Sequence, residues 1–242
     1  MNPKLRFLLL QIRNSDDPMR HHEVECFARV LRCNAERIQV YDLLCGVPDE
    51  ALLDRHDMVL LGGSGHYSAA GEGDWLQRAL QTLQILHAHA KPTFASCWGF
   101  QAMARALGGT VINDLSRAEL GTNLLMLTSA GLADPVFAPL GETFLGQMGH
   151  EDVVTALPPD VTRLASSDRV QNQAYRCNGL PIYCTQFHPE LSRRDIYIRL
   201  ENYPEYIKKI SGIPLEAFKQ TLHETTETEG ILTRFVETVF GK

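Results

Sequence analysis

Apolar residues in this chain come either as short unbroken runs or at helical spacing, and the two patterns alternate. Residues 5–11 (LRFLLLQ) form a run fit for a strand buried on both faces. After a polar stretch at 13–18, Val24, Phe27, Val30 and Leu31 recur at the spacing of a helix face. Residues 38–41 predict a second strand, and residues 56–61 a third that runs into Gly62-Gly63-Ser64-Gly65. A helix is expected over 74–89, its apolar side built from Trp75, Leu76, Leu80, Leu83, Ile85 and Leu86. Residues 92–96 predict a fourth strand, and residues 100–107 a helix closed by Gly108-Gly109.

The texture changes from about residue 110 to 186. Short β-like runs at 123–128, 153–156, 164–166, 174–177 and 182–186 are separated by Gly, Pro and Asn turns, which predicts an antiparallel extension. After Glu190 the chain is charged and helical in pattern, with helices expected near 194–201, 204–211, 215–223 and 230–239 and a solvated loop at 224–230. The expected fold class is therefore α/β: a doubly wound, mostly parallel sheet in a flavodoxin-like three-layer α/β/α arrangement. The antiparallel extension and a helical C-terminal elaboration would be added to it. Residues 1–192 would form one domain, with 193–242 packed on the same domain.

Composition narrows the class without naming it. Charged residues make up 21% and hydrophobic residues 44%, ordinary for a globular protein, and the net charge of −6 with no Lys/Arg run argues against a nucleic-acid partner. No apolar run approaches the roughly 18 residues of a membrane span, and the apolar stretch after Met1-Asn2-Pro3-Lys4 is too short for a signal-peptide core. No membrane partner is expected. The six cysteines contain no CxxC pair and no zinc-like spacing, and read best as reduced thiols of a cytoplasmic protein. His21-His22-Glu23 and His87-Ala88-His89 place histidines on different helix faces, so no metal is expected.

The candidate chemistry lies in two short stretches. In Phe94-Ala95-Ser96-Cys97-Trp98-Gly99-Phe100-Gln101 a buried strand turns sharply into a helix with Cys97 at the bend. A thiol there sits at the positive end of the next helix, beside backbone N–H groups that have no helical partner. Downstream, Phe187-His188-Pro189-Glu190 supplies an imidazole and a carboxylate two positions apart. Pro189 biases His188 toward extended backbone, where residues two apart project to one side. A thiol, a base and an orienting acid are the parts of a nucleophilic enzyme.

Together these stretches resemble the class I, triad-type glutamine amidotransferases, whose elbow reads G-x-C-x-G-x-Q and whose base segment reads Q-F-H-P-E. Gly62-Gly63 resembles the family's glycine-rich oxyanion strand. Met148-Gly149-His150-Glu151-Asp152-Val153-Val154 resembles the M-S-H-x-D-x-V loop of GMP synthase-type amidotransferase domains. The likeness spans about residues 5 to 192. It implies hydrolysis of the glutamine side-chain amide through a γ-glutamyl thioester on Cys97, with His188 as general acid/base and Glu190 orienting it. It further implies oxyanion-hole N–H groups from Gly63 and Trp98. Gly62, Gln101, Gly149 and His150 would contact the substrate, Gln101 at its α-amino acid end. Ala95 stands where the family has Gly, Trp98 is bulkier than its usual counterpart, and Gly149 replaces a Ser.

No cofactor is implied, and neither an S-G-G-x-D-S motif nor a Walker P-loop is present to bind ATP. Three functions stay open at this point. The chain could release ammonia to a separate synthetase subunit, or act alone as a γ-glutamyl peptidase or hydrolase on other γ-glutamyl small molecules. It could also be a non-catalytic regulatory subunit, against which the complete Cys–His–Glu set argues.

Overall fold

The computed structural model describes residues 5–241. Met1–Lys4 and Lys242 lie outside the described residues. In chain order the strands are β1 (Phe7–Gln11), β2 (Ile38–Asp42), β3 (Met58–Leu61), β4 (Thr93–Ser96), β5 (Thr110–Asn113), β6 (Glu119–Leu127), β7 (Thr143–His150), β8 (Asp152–Ala156), β9 (Val161–Ser166), β10 (Ala174–Cys177) and β11 (Ile182–Thr185). The helices are α1 (Met19–Val30), α2 (Glu50–Asp54), α3 (Asp74–Ala88), α4 (Trp98–Ala106), α5 (Ser129–Ala133), α6 (Arg193–Asn202), α7 (Pro204–Tyr206), α8 (Leu215–Lys219) and α9 (Thr226–Phe240). A π-helical turn, Ile207–Ser211, follows α7 directly.

Nine strands make one sheet in the order β2-β1-β3-β4-β11-β10-β9-β6-β7. The five from β2 to β11 are parallel, and β10, β9, β6 and β7 continue the sheet antiparallel. The parallel strands are unbroken apolar runs because both their faces are covered. Phe7, Leu9, Met58, Leu60, Phe94 and Tyr183 point to one core, under α1 and α9. Leu8, Leu10, Val59, Leu61, Ala95 and Cys184 point to the other, under α3 and α4. This is the doubly wound α/β fold that the alternation predicts.

Several elements depart from expectation. β5, β7, α2 and α5 carry too little periodic signal to be read, and β7 in particular mixes two glycines with a buried glutamine (Thr143-Phe144-Leu145-Gly146-Gln147-Met148-Gly149-His150). The stretch 224–230 is not a solvated loop, because α9 begins at Thr226 and both Thr225 and Thr228 are buried. α9, in the C-terminal elaboration, packs against the sheet itself. Its Ile231, Leu232, Phe235 and Val236 are buried, and the Phe235 ring packs edge-on against Phe94 at 5.7 Å and Tyr183 at 5.5 Å. Burying each such side chain contributes about 1.5–3 kcal/mol, so the last helix is part of the sheet's covering layer. Among the described residues no helix is long and apolar enough to cross a membrane.

Candidate active site

β4 ends at Ser96 and α4 begins at Trp98, so the whole turn is carried by Cys97. Its backbone has φ +51° and ψ −106°, a left-handed conformation that costs a non-glycine residue on the order of 1–3 kcal/mol. Neighbouring hydrogen bonds hold it there: Cys97 N–H donates to Thr185 O at 2.8 Å, and Gly99 N–H to Gly62 O at 3.1 Å. A side chain at Gly99 would meet Leu61 Cβ at 2.6 Å, so the bend closes onto β3 only because that residue is glycine. The thiol contacts Gly149 O at 3.7 Å. Trp98 opens the helix, and its N–H has no partner within α4.

β11 lies beside β4 in parallel register, Thr185 opposite Ser96, so the segment leaving β11 emerges next to Cys97. There His188 N–H donates to Gln147 O at 2.9 Å, and Phe187 packs against Phe144 with ring centroids 5.4 Å apart. His188 Nδ1 lies 2.7 Å from Glu190 Oε1. Gly63 lies under both reactive groups: a Cβ on it would be 3.1 Å from His188 Cε1 and 3.7 Å from Cys97 Sγ. The structure therefore brings Cys97, His188, Glu190, Gly63 and Trp98 to one place.

Burial works against a charged imidazole, but the Cys97 sulfur and the Glu190 carboxylate outweigh it and push the His188 pKa up to about 9. Burial likewise opposes ionisation of Glu190, and His188 followed by Arg199 holds it below the ordinary carboxylate range. Arg199, on α6, is 6% exposed, with its Nη2 3.6 Å from Glu23 Oε1 and 3.9 Å from Glu190 Oε1. Glu23 is fully buried and pairs with Arg13 at 3.1 Å. Arg13 also donates to Tyr203 Oη at 2.8 Å and pairs with Asp17 at 3.2 Å. A buried charge chain thus runs from Glu190 into α1 and past the end of α6. Arg199→Met is expected to move the acid limb of a kcat/KM–pH profile upward, since Glu190 loses a stabilising cation; an unmoved limb would separate Arg199 from Glu190.

The four expected substrate contacts fare differently. Gly62 lines neither cavity beside Cys97; it is a packing position, where a Cβ would fall 2.2 Å from Glu23 Oε1. Gln101 borders the larger cavity, yet its Nε2 is engaged by Asp152 O at 3.0 Å and Gln186 Oε1 at 3.1 Å. That pairing ties the elbow helix to the Gln186-Phe187-His188 segment. Gly149 borders both cavities. His150 is 2% exposed, held between Asp152 O at 3.0 Å and Glu119 Oε2 at 3.1 Å. Met148-Gly149-His150 is the end of β7 rather than a loop, separated from β8 by Glu151 alone.

Two cavities meet at Cys97. The larger, about 220 Å³, is polar and is bordered by Ser64, Gln101, Glu151, Asp152, Glu205 and Lys209. The smaller, about 40 Å³, is bordered by His188 together with Leu120, Ile196, Leu200 and Tyr203. Tyr206 borders both. The sequence gives no sign of Arg13, Glu23, Arg199, Tyr203, Tyr206 or Lys209 here, because they reach the site from the loop after β1, from α1, from α6 and from the segment after it. One further group, His22, Cys26 and Asp195, comes within 4.8 Å. Cys26 Sγ stands 3.8 and 3.6 Å from the two His22 ring nitrogens, and Asp195 is shared among Ser192, Arg29 and, at 3.3 Å, His22 Nε2. The cluster ties α1 to α6.

Residues 21–197 match the model of the family described as glutamine amidotransferase class-I. Gamma-glutamyl peptidase 3 of Arabidopsis thaliana is 30% identical over 155 residues, 62% of this chain and 61% of that protein. A glutamine-hydrolysing GMP synthase of Aeromonas salmonicida is 35% identical over 127 residues, 50% of this chain and 24% of that protein. The matches thus span less than two thirds of either relative. Among solved structures, a glutamine amidotransferase from Thermotoga maritima superposes with a TM-score of 0.75 at 23% identity, covering 97% of both chains. One from Methylobacillus flagellatus gives 0.68 at 17%, covering 97% of this chain and 94% of its own. These two likenesses speak for the fold, and the family match over residues 21–197 goes further: the chain belongs to the class-I glutamine amidotransferases.

Proposed function

We propose that this protein hydrolyses the γ-amide of glutamine, or of a closely related γ-glutamyl compound, through a thioester on Cys97. The observation that carries the proposal is the meeting of Cys97 and His188 over Gly63, with Glu190 2.7 Å behind the imidazole. Cys97 Sγ attacks the amide carbon while the oxyanion forms against the N–H groups of Gly63 and Trp98. The His188 imidazolium protonates the departing nitrogen, the C–N bond breaks, and the thioester remains. Esterified sulfur no longer carries the charge that raises the His188 pKa, so burial brings the ring down toward neutrality. It can then take a proton from the water that cleaves the S–C bond and releases glutamate. Opposed charges in the larger cavity, Lys209 and Glu205 with Glu151 and Asp152, suit a zwitterionic α-amino acid end.

The test is acid quenching during turnover with glutamine, followed by mass spectrometry of the Cys97 peptide and measurement of ammonia. A glutamyl adduct on Cys97 together with ammonia supports the reading, and ammonia without any adduct overturns it. Acylation needs the protonated ring, so kcat/KM is expected to be flat at neutral pH and to fall as pH rises through about 9. Glu190→Gln removes a carboxylate that raises this pKa, and is expected to move that limb to lower pH. Transfer of the ammonia to a separate synthetase subunit is a further part of the proposal, resting on the GMP synthase likeness.

A further inference from the structure

Space, not backbone conformation, requires a glycine at position 63. Gly63 is not among the glycines with positive φ, so other residues could adopt its conformation. A side chain there would fill the point on which three groups converge: it would lie 3.1 Å from His188 Cε1, 3.6 Å from Arg199 Nη1 and 3.7 Å from Cys97 Sγ. The same three residues, with Gly63, border the smaller cavity of about 40 Å³. Cys97 and His188 have roles in the reaction proposed above. Arg199 has so far been given only its nearness to Glu190.

The Arg199 guanidinium is little used by the rest of the chain. The residue is 6% exposed, yet its Nε and Nη2 are covered and have no hydrogen-bond partner among the described residues. Nη2 faces two carboxylates, Glu23 Oε1 at 3.6 Å and Glu190 Oε1 at 3.9 Å. Nη1 is turned toward Gly63 instead. Because the guanidinium is a rigid planar fork, carboxylates that hold one arm also fix where the other arm stands. Buried donors left without a partner call for an explanation, and a catalytic role is one of the few that recur.

We propose that Arg199 is a catalytic residue, whose Nη1 donates to the substrate's carbonyl oxygen as that oxygen becomes negative, beside the N–H groups of Gly63 and Trp98. This inference rests on the Cys97 thioester reading. As Cys97 Sγ bonds to the amide carbon, the C=O π pair moves onto oxygen. The new charge then meets a third donor that is itself cationic. When the tetrahedral intermediate collapses the pair returns, the C–N bond breaks, and the amine leaves with the proton from His188. Arg199 gives up no proton. Held by Glu23 and Glu190 before the reaction starts, it needs no rearrangement to meet the oxyanion.

The test is the rate of Cys97 acylation by glutamine under single turnover, read by quenched mass spectrometry across pH in folded Arg199→Met and Arg199→Lys. Methionine removes both arms of the fork. Lysine keeps a cation beside Glu23 and Glu190 but has no second arm to reach toward Gly63. The plateau rate is expected to fall about a hundredfold or more in Arg199→Met and at least about tenfold in Arg199→Lys. The half-saturating glutamine concentration is expected to stay nearly unchanged, because the oxyanion exists only after binding. In Arg199→Lys the acid limb is expected to stay where it is in the wild type. If Arg199 acts only by steadying Glu190, lysine restores the rate, and the methionine variant recovers the full plateau once pH exceeds its shifted limb. Either result overturns the proposal while leaving the thioester reading in place. Arg199→Lys decides alone if Arg199→Met does not fold. Absence of any glutamyl adduct on Cys97 in the wild-type protein overturns both.

Discussion

Cys97→Ala is expected to lower kcat by at least about 10⁴-fold on any γ-glutamyl substrate, with the melting temperature nearly unchanged. In the proposed reaction the sulfur is the atom that bonds to substrate carbon, and alanine offers no nucleophile in its place. Loss of the side chain costs little packing. It also removes none of the bonds that hold the bend, because Cys97 N–H to Thr185 O and Gly99 N–H to Gly62 O are both backbone. Cys97→Ser is expected to fall nearly as far, since a hydroxyl is a far weaker nucleophile without strong deprotonation. Kinetics alongside thermal unfolding decide the matter. A folded Cys97→Ala variant keeping more than about one part in a hundred of the activity would remove Cys97 from the reaction.

The largest stability effect is expected away from the thiol, at Glu23. This carboxylate is fully buried and faces Arg13 at 3.1 Å, Gln11 at 3.0 Å and Arg199 at 3.6 Å. Glu23→Gln keeps the shape and removes the charge, leaving two buried guanidinium groups short of a counter-ion. Breaking such a pair on one side costs about 3–5 kcal/mol, whereas an exposed pair contributes under about 1 kcal/mol. For a chain of this size that corresponds to roughly 6–20 °C in melting temperature. The exposed pair Arg6–Asp57 is the matched control, with Arg6 57% exposed, and its disruption is expected to shift the melting temperature by little. If Glu23→Gln and Asp57→Asn melt alike, the buried chain does not carry stability. Because Arg199 lies between Glu23 and Glu190, the same substitution is also expected to disturb the Glu190 carboxylate.

What the sequence disclosed and what it hid follow from how far each feature reaches along the chain. The parallel strands were legible because burial on both faces demands unbroken apolar runs. Cys97 and His188 were legible because each lies in a short contiguous segment whose turn chemistry depends on immediate neighbours. Gln101 and Gln186 could be seen as motif members, but their mutual hydrogen bond joins residues 85 apart and appears only once β4 and β11 are adjacent. The Arg13–Glu23–Arg199–Glu190 chain was invisible for the same reason, being assembled from three separate segments. Tyr203 and Tyr206 flank a proline, which interrupts the helical spacing that would have marked them as one face. For α9 the amphipathic pattern was plain, but periodicity does not say which sheet a face will cover.

The neighbouring positions of β4 and β11 also bear on how the protein comes into being. Strand pairs in the sheet's first part join residues close in sequence, but β4 meets β11 only after almost ninety intervening residues have been made. Phe94 waits longer still for Phe235 to cover it. Pairings of such long range are slow to form and leave apolar edges exposed meanwhile. The nascent chain therefore carries Cys97 on an unfinished edge, a thiol without its imidazole, until synthesis is well advanced. Cys97 and His188 come together only when the middle of the sheet closes.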